Sequence, residues 1–162
     1  MPVSTDAFRA RILIVDDQES NVRLLEYVLR RGGYGAVAST TEPLDVCALH
    51  RQNHYDLIML DLRMPCMNGF EVMEALRNEE SVAVLVLSAD PAQMVRALEA
   101  GARGFLSKPF VLAEVLLRVH QMLSGDLEEP APLLATAPAA FLAVGSHDER
   151  PTAIAPRPIL SN

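Results

Sequence analysis

YDLIMLDLRMPCMNGF, residues Tyr55 to Phe70, contains a short, unbroken apolar run that ends on a carboxylate. The run Asp56 to Leu60 lacks the alternation of a half-exposed strand, so it reads as a strand covered on both faces, as in a parallel α/β sheet. Asp61 then stands at a carboxyl end, where open sheets of that kind hold their ligands. Beyond it, Pro65 disfavours helix for the residue before it, Asn68 offers an N-cap, and Glu71 three residues on completes a capping box. A single acid at a strand end is ordinarily a turn residue. Three other strand ends raise Asp61 above that reading.

Outward from this stretch, five strand-like runs alternate with five helical ones as far as about Leu123. This is the pattern of a βα repeat with right-handed crossovers and helices on both faces. Arg11 to Val15 is the first strand and ends in adjacent acids, Asp16 and Asp17. A helix follows from about Glu19 to Arg31, with Val22, Leu25, Val28 and Leu29 on one face and Gly32-Gly33 as its stop. Ala36 to Ala38 is a weak strand, expected near an edge. The second helix opens around Thr41 to Pro43 and runs to about Gln52, and the third covers Asn68 to Arg77.

Val82 to Leu87, aliphatic throughout with valine at every second position, is the fourth strand and ends in Ser88. Asp90 caps the helix after it, with Pro91 at the first helical position and Gln93 reaching back; Gly101 ends it. Gly104 to Leu106 is the fifth strand, followed by Ser107, Lys108 and Pro109, and the last helix spans Val111 to Leu123. The expected architecture is α/β: a doubly wound, flavodoxin-like sheet of five parallel strands in the order 2-1-3-4-5.

The 162 residues are 50% hydrophobic and 22% charged, enough for one domain, residues 9–123, with a full core. A net charge of -7 with no cluster of Lys and Arg speaks against direct nucleic-acid binding and against an anionic membrane surface. MPVSTDAFRA at the N-terminus carries an acid and no long apolar core, so neither signal peptide nor spanning helix is expected, and the cytoplasm is the expected location. Cys47 and Cys66 lack metal-like spacing and are expected to be free thiols. Residues 124–162 are rich in Pro and Ala and read as a linker or disordered tail, with one short apolar patch, Ala139 to Val144. No DNA-binding helix pair and no cyclic-nucleotide synthase or hydrolase signature is read there.

In the order 2-1-3-4-5, strands 1, 3, 4 and 5 share one rim, so Asp16, Asp17, Asp61, Ser88 and Lys108 converge on one crevice. Two carboxylates about 5 Å apart repel by roughly 3 kcal/mol at an effective dielectric of 20, so three together call for a cation. Oxygen-only ligands suit Mg²⁺. Lys108 is the only lysine in the chain, among plentiful arginines. Its compact ammonium can reach an anionic oxygen where a forked guanidinium would not substitute freely.

This constellation resembles the receiver domain of bacterial two-component response regulators. The matching pieces are ILIVDD at 12–17, LDLRMP at 60–65, MNGF at 67–70, LSAD at 87–90 and GFLSKPF at 104–110. The resemblance implies that Asp61 is the phosphoacceptor, forming 4-aspartylphosphate, and that Asp16, Asp17, Asp61 and the backbone carbonyl of Arg63 hold Mg²⁺. Ser88 becomes the switch hydroxyl, Lys108 its paired cation and Phe105 the switch aromatic, with a cis Lys108-Pro109 bond. A histidine kinase or phosphotransfer protein becomes the donor. The output surface becomes helix 4, strand 5 and helix 5, offered to a downstream protein or, after phosphorylation, to a second copy.

Two departures stand out: Cys66 where Gly often follows the MP pair, and Asn68 where Asp is frequent. Arg63 and Asp90 are expected to flank the site and to face one another across its mouth. Phe105 also reads as an ordinary core aromatic. A haloacid dehalogenase-type phosphatase is disfavoured, since such enzymes want a second acid two residues after the nucleophile and position 63 is Arg. A pseudo-receiver acting only as a binding module stays open, although every phosphorylation residue is present.

Overall fold

The structure, a computed structural model, describes residues 6–125. The expected tail therefore lies, from residue 126 on, outside the described residues, as does the Ala139 to Val144 patch. In chain order the elements are β1 (Arg11–Val15), α1 (Glu19–Arg31), β2 (Ala36–Thr40), α2 (Val46–Asn53), β3 (Leu57–Asp61), α3 (Gly69–Leu76), β4 (Ala83–Ser88), α4 (Met94–Glu99), β5 (Gly104–Ser107) and α5 (Leu112–Ser124). All four strand pairings are parallel and the order is β2-β1-β3-β4-β5, as expected.

Side chains alternate across the three central strands because a strand has a period of two. Ile12, Ile14, Leu57, Met59, Leu85 and Leu87 enter one core with Val22, Leu25 and Leu29 of α1 and Val115, Val119 and Met122 of α5. Leu13, Val15, Ile58, Leu60, Val84 and Val86 enter the other, with Val46 of α2, Val72 and Met73 of α3 and Ala97 of α4. Every residue of β3 and β4 is buried, which is why neither strand alternates in sequence. Each large aliphatic there contributes roughly 1.5 to 3 kcal/mol of burial. A charge placed at Met59, the middle of β3, would be fully buried among apolar side chains with nothing to pair it.

The boundaries differ from expectation in instructive ways. β3 and β4 each begin and end one residue later than expected, so Asp61 and Ser88 are the last residues of their strands. Asp61 pairs with Leu87 and Ser88 with Ser107, so ladder geometry fixes both backbones. β2 reaches Thr40 because parallel pairing with Ile14 and Val15 supplies what its own composition lacks. α2 and α4 each begin with a 3-10 turn, Pro43–Asp45 and Pro91–Gln93. The capping box on α3 forms as read: Asn68 Oδ1 accepts from the Phe70 and Glu71 N–H groups, and Glu71 returns to the Asn68 N–H. Both cysteines are free, and burial pushes the Cys47 thiol above its usual range. Among the described residues no helix is long and apolar enough to cross a membrane.

Candidate functional site

Three strands deliver the site's charged groups. Asp16 and Asp17 leave the end of β1, Asp61 closes β3, and Lys108 follows β5, whose end is drawn against β4 by a bond from the Lys108 N–H to the Ser88 carbonyl at 2.7 Å. Asp16, Asp17 and Asp61 each offer an oxygen within 4.8 Å of the others. Lys108 Nζ lies 3.0 Å from Asp16 Oδ2 and 3.3 Å from Asp61 Oδ1. The lysine expected in the crevice is in the crevice.

Three carboxylates against one ammonium leave the pocket negative, in a place where water screens little. Burial raises the Asp61 carboxyl above its ordinary range; Lys108 opposes that rise, the Asp16 charge adds to it, and the Arg63 N–H and the Lys108 hydrogen bond oppose it further. Asp16 is wholly buried, yet every oxygen is served: Oδ1 accepts from the Gln18 N–H at 2.9 Å, and Oδ2 accepts from Lys108 and from the Asn21 amide at 3.0 Å. Asp17 differs. Its Oδ1 is buried with no hydrogen-bond partner, a costly state for a carboxylate oxygen. An oxygen-only cluster with one orphaned, inward-facing carboxylate oxygen fits a hard divalent cation.

Ser88 is buried at the end of β4, the strand beside β3, and its hydroxyl accepts from the Asp90 N–H at 3.1 Å, within its own loop. Phe105 is buried in the core on the α2, α3 and α4 face of the sheet, beside Val86 in the ladder. The Lys108-Pro109 bond is cis. Arg63 and Asp90 line one cavity of about 230 Å³ together with Ser88 and Phe70, but no ion pair joins them among the described residues. Asp90 instead accepts from the Ala92 N–H and from the Gln93 side chain, so Gln93 reaches the carboxylate and not the backbone.

Two participants escape a reading of the sequence. Asn21 touches Asp16 from the first turn of α1, and its only signal is a position five residues downstream of that acid. Arg96 of α4 lies over the Phe70 ring at 3.9 Å and lines the cavity beside Ser88. Nothing local distinguishes it from the other surface arginines.

Comparison with known proteins agrees with this geometry. The family model described as the response regulator receiver domain matches residues 12–120. The DNA-binding response regulator MtrA of Mycobacterium tuberculosis is 37% identical over 136 residues, covering 82% of this chain and 58% of MtrA. The transcriptional regulatory protein PrrA of the same species is 37% identical over 124 residues, covering 75% and 53%. The chain thus spans little more than half the length of these relatives. Among solved structures, the chemotaxis protein CheY4 of Vibrio cholerae aligns with a TM-score of 0.64 at 30% identity, over 71% of this chain and 98% of that one. A response regulator from Chloroflexus aurantiacus gives 0.67 at 28%, over 72% and 98%.

Proposed function

The chain belongs to the response regulator receiver family, and on that premise we propose that it is a phosphorylation-dependent signalling switch with Asp61 as phosphoacceptor. The observation that carries this reading is the meeting of Asp61 with two further acids and the Lys108 ammonium at one sheet rim. The donor is the phosphohistidine of a histidine kinase or phosphotransfer protein. An Asp61 carboxylate oxygen attacks phosphorus, the donor's P–N bond breaks, the imidazole leaves with its electron pair, and a mixed acyl phosphate remains.

Asp16, Asp17 and Asp61, with the Arg63 backbone carbonyl, would hold Mg²⁺. When bound it neutralises charge on the phosphoryl oxygens. Burial supports Asp61 as nucleophile because a desolvated carboxylate is less stabilised than one in water. Lys108, already between Asp16 and Asp61, needs only a small displacement to meet a phosphoryl oxygen. Ser88 gives up the Asp90 N–H and donates its hydroxyl to another phosphoryl oxygen, carrying its loop inward. Two charge-assisted bonds at roughly 1.5 to 3 kcal/mol each reach the order of the about 5.5 kcal/mol that moves a two-state equilibrium from 1:99 to 99:1. Phe105 turns into the space that the Ser88 loop vacates. The face of α4, β5 and α5 is the output surface, read by a downstream protein or by a second copy of the chain.

Incubation with acetyl phosphate and Mg²⁺, followed by peptide mapping, tests the assignment. Wild type should gain one hydroxylamine-labile phosphoryl group on the peptide containing Asp61, and Asp61→Asn should gain none. Equal labelling of that peptide in the variant would remove Asp61 from the role.

A further inference from the structure

Asn21 is half-buried in the first turn of α1. Its amide nitrogen donates to Asp16 Oδ2 at 3.0 Å, the same oxygen that accepts from Lys108 Nζ at 3.0 Å. Behind it, Gln18 Oε1 lies 3.5 Å from the Asn21 nitrogen, within reach of the second amide hydrogen. The other Asp16 oxygen is taken by the Gln18 N–H. Because Asp16 has no exposure to solvent, its oxygens depend on donors inside the protein. Asp16 Oδ2 therefore has two donors of unlike character: an ammonium on a long flexible stem, and a short amide held by a helix.

The phosphoacceptor reading requires Lys108 to turn from the acids toward the phosphoryl group. That movement strips one donor from Asp16 Oδ2. Resting on that reading, we propose that Asn21 is a positioning residue which keeps Asp16 hydrogen-bonded and in place when Lys108 departs, so that the switch does not strand a buried carboxylate. In the resting pocket Asn21 is redundant, since Lys108 serves the same oxygen. In the phosphorylated pocket it is the remaining donor to that oxygen among the described residues. A neutral amide suits the task because it leaves the charge of the pocket unchanged, whereas a second ammonium would pair with the acids and compete with a cation. Deleting Asn21 therefore penalises one state and spares the other.

The experiment uses the full chain, labelled with ¹⁵N, as wild type and as Asn21→Ala. Two titrations are followed by amide shifts: Mg²⁺ alone, and beryllofluoride, a phosphoryl mimic, in saturating Mg²⁺. The expected result is beryllofluoride affinity weakened about tenfold, the worth of one hydrogen bond to a charged acceptor, with Mg²⁺ affinity within twofold of wild type. Equal affinities for both ligands in the two proteins would overturn the proposal. So would a parallel loss of both, which would make Asn21 a simple scaffold for Asp16. Failure of wild type to bind beryllofluoride would instead sink the phosphoacceptor reading itself. Asn21→Ser, which also withdraws the long donor, repeats the measurement should the alanine variant fail to fold.

Discussion

The two rims of the sheet handle buried polarity in opposite ways. At the amino rim, among the described residues, the buried polar side chain is closed by local partners. His50 is buried, with Nδ1 accepting from the Tyr55 N–H at 3.2 Å, so that its Nε2–H donates to the Glu80 carbonyl at 3.1 Å. Asp56 accepts from the Arg11 N–H, the Arg11 guanidinium donates to the Asn53 carbonyl, and Arg51 pairs with Glu79 through two of its nitrogens. At the carboxyl rim three acids share one ammonium, and an oxygen of Asp17 has no partner. The first rim closes on itself; the second keeps an open carboxylate oxygen among its acids, the feature on which the proposed cation site rests. That contrast sets the residues that hold the fold apart from those proposed to act, without appeal to any relative.

The largest expected effect lies at the closed rim. His50→Ala leaves the buried Tyr55 N–H without its partner and a void where the imidazole stood, and should cost about 3 kcal/mol in urea unfolding. Beryllofluoride affinity should be unchanged; a comparable loss of affinity would show that the rims are coupled and break the comparison. At the open rim the sign reverses. Asp61→Asn removes a carboxylate whose ionisation burial opposes, and should raise the melting temperature by several degrees in metal-free buffer. The raised Asp61 value fixes the pH dependence: the folded state favours its protonated form, so that contribution is present in acid and lost as pH rises through the raised value. The gap between variant and wild type should therefore widen from acid to neutral pH, and Mg²⁺ should narrow it. A gap that shrank with rising pH would contradict the account. The smallest effect tests the joint between the site and α3. Asn68→Ala should cost about 1 kcal/mol, the usual worth of an N-cap, with a further drop in phosphorylation rate only if the loop after Asp61 loosens.

Much of this was legible because the informative residues sit where local rules are strong. β3 and β4 read as buried strands because their apolar runs are unbroken, and the Asn68–Glu71 box declared the start of α3. The convergence of Asp16, Asp17, Asp61 and Lys108 followed from sheet order, since strand ends are fixed by topology. What escaped depends on side-chain reach. Asn21 is an unremarkable amide until α1 is folded back over the end of β1. Gln93 could cap the backbone or meet the Asp90 carboxylate, and sequence spacing does not choose between them. Arg63 and Asp90 do share a cavity, but two nearer donors already occupy Asp90. The extension of β2 came from its neighbour, which composition alone cannot register.

Gly69 carries a last consequence. A Cβ there would stand 2.7 Å from the Asp61 carbonyl oxygen and 2.9 Å from the Leu62 Cα, so α3 abuts the main chain immediately behind the acid with no room for even a methyl group. That side of Asp61 is an anvil. On the reading proposed above, α3 cannot come closer to the main chain behind Asp61, so an inward adjustment to an added group falls to the loops on the other sides of the acid.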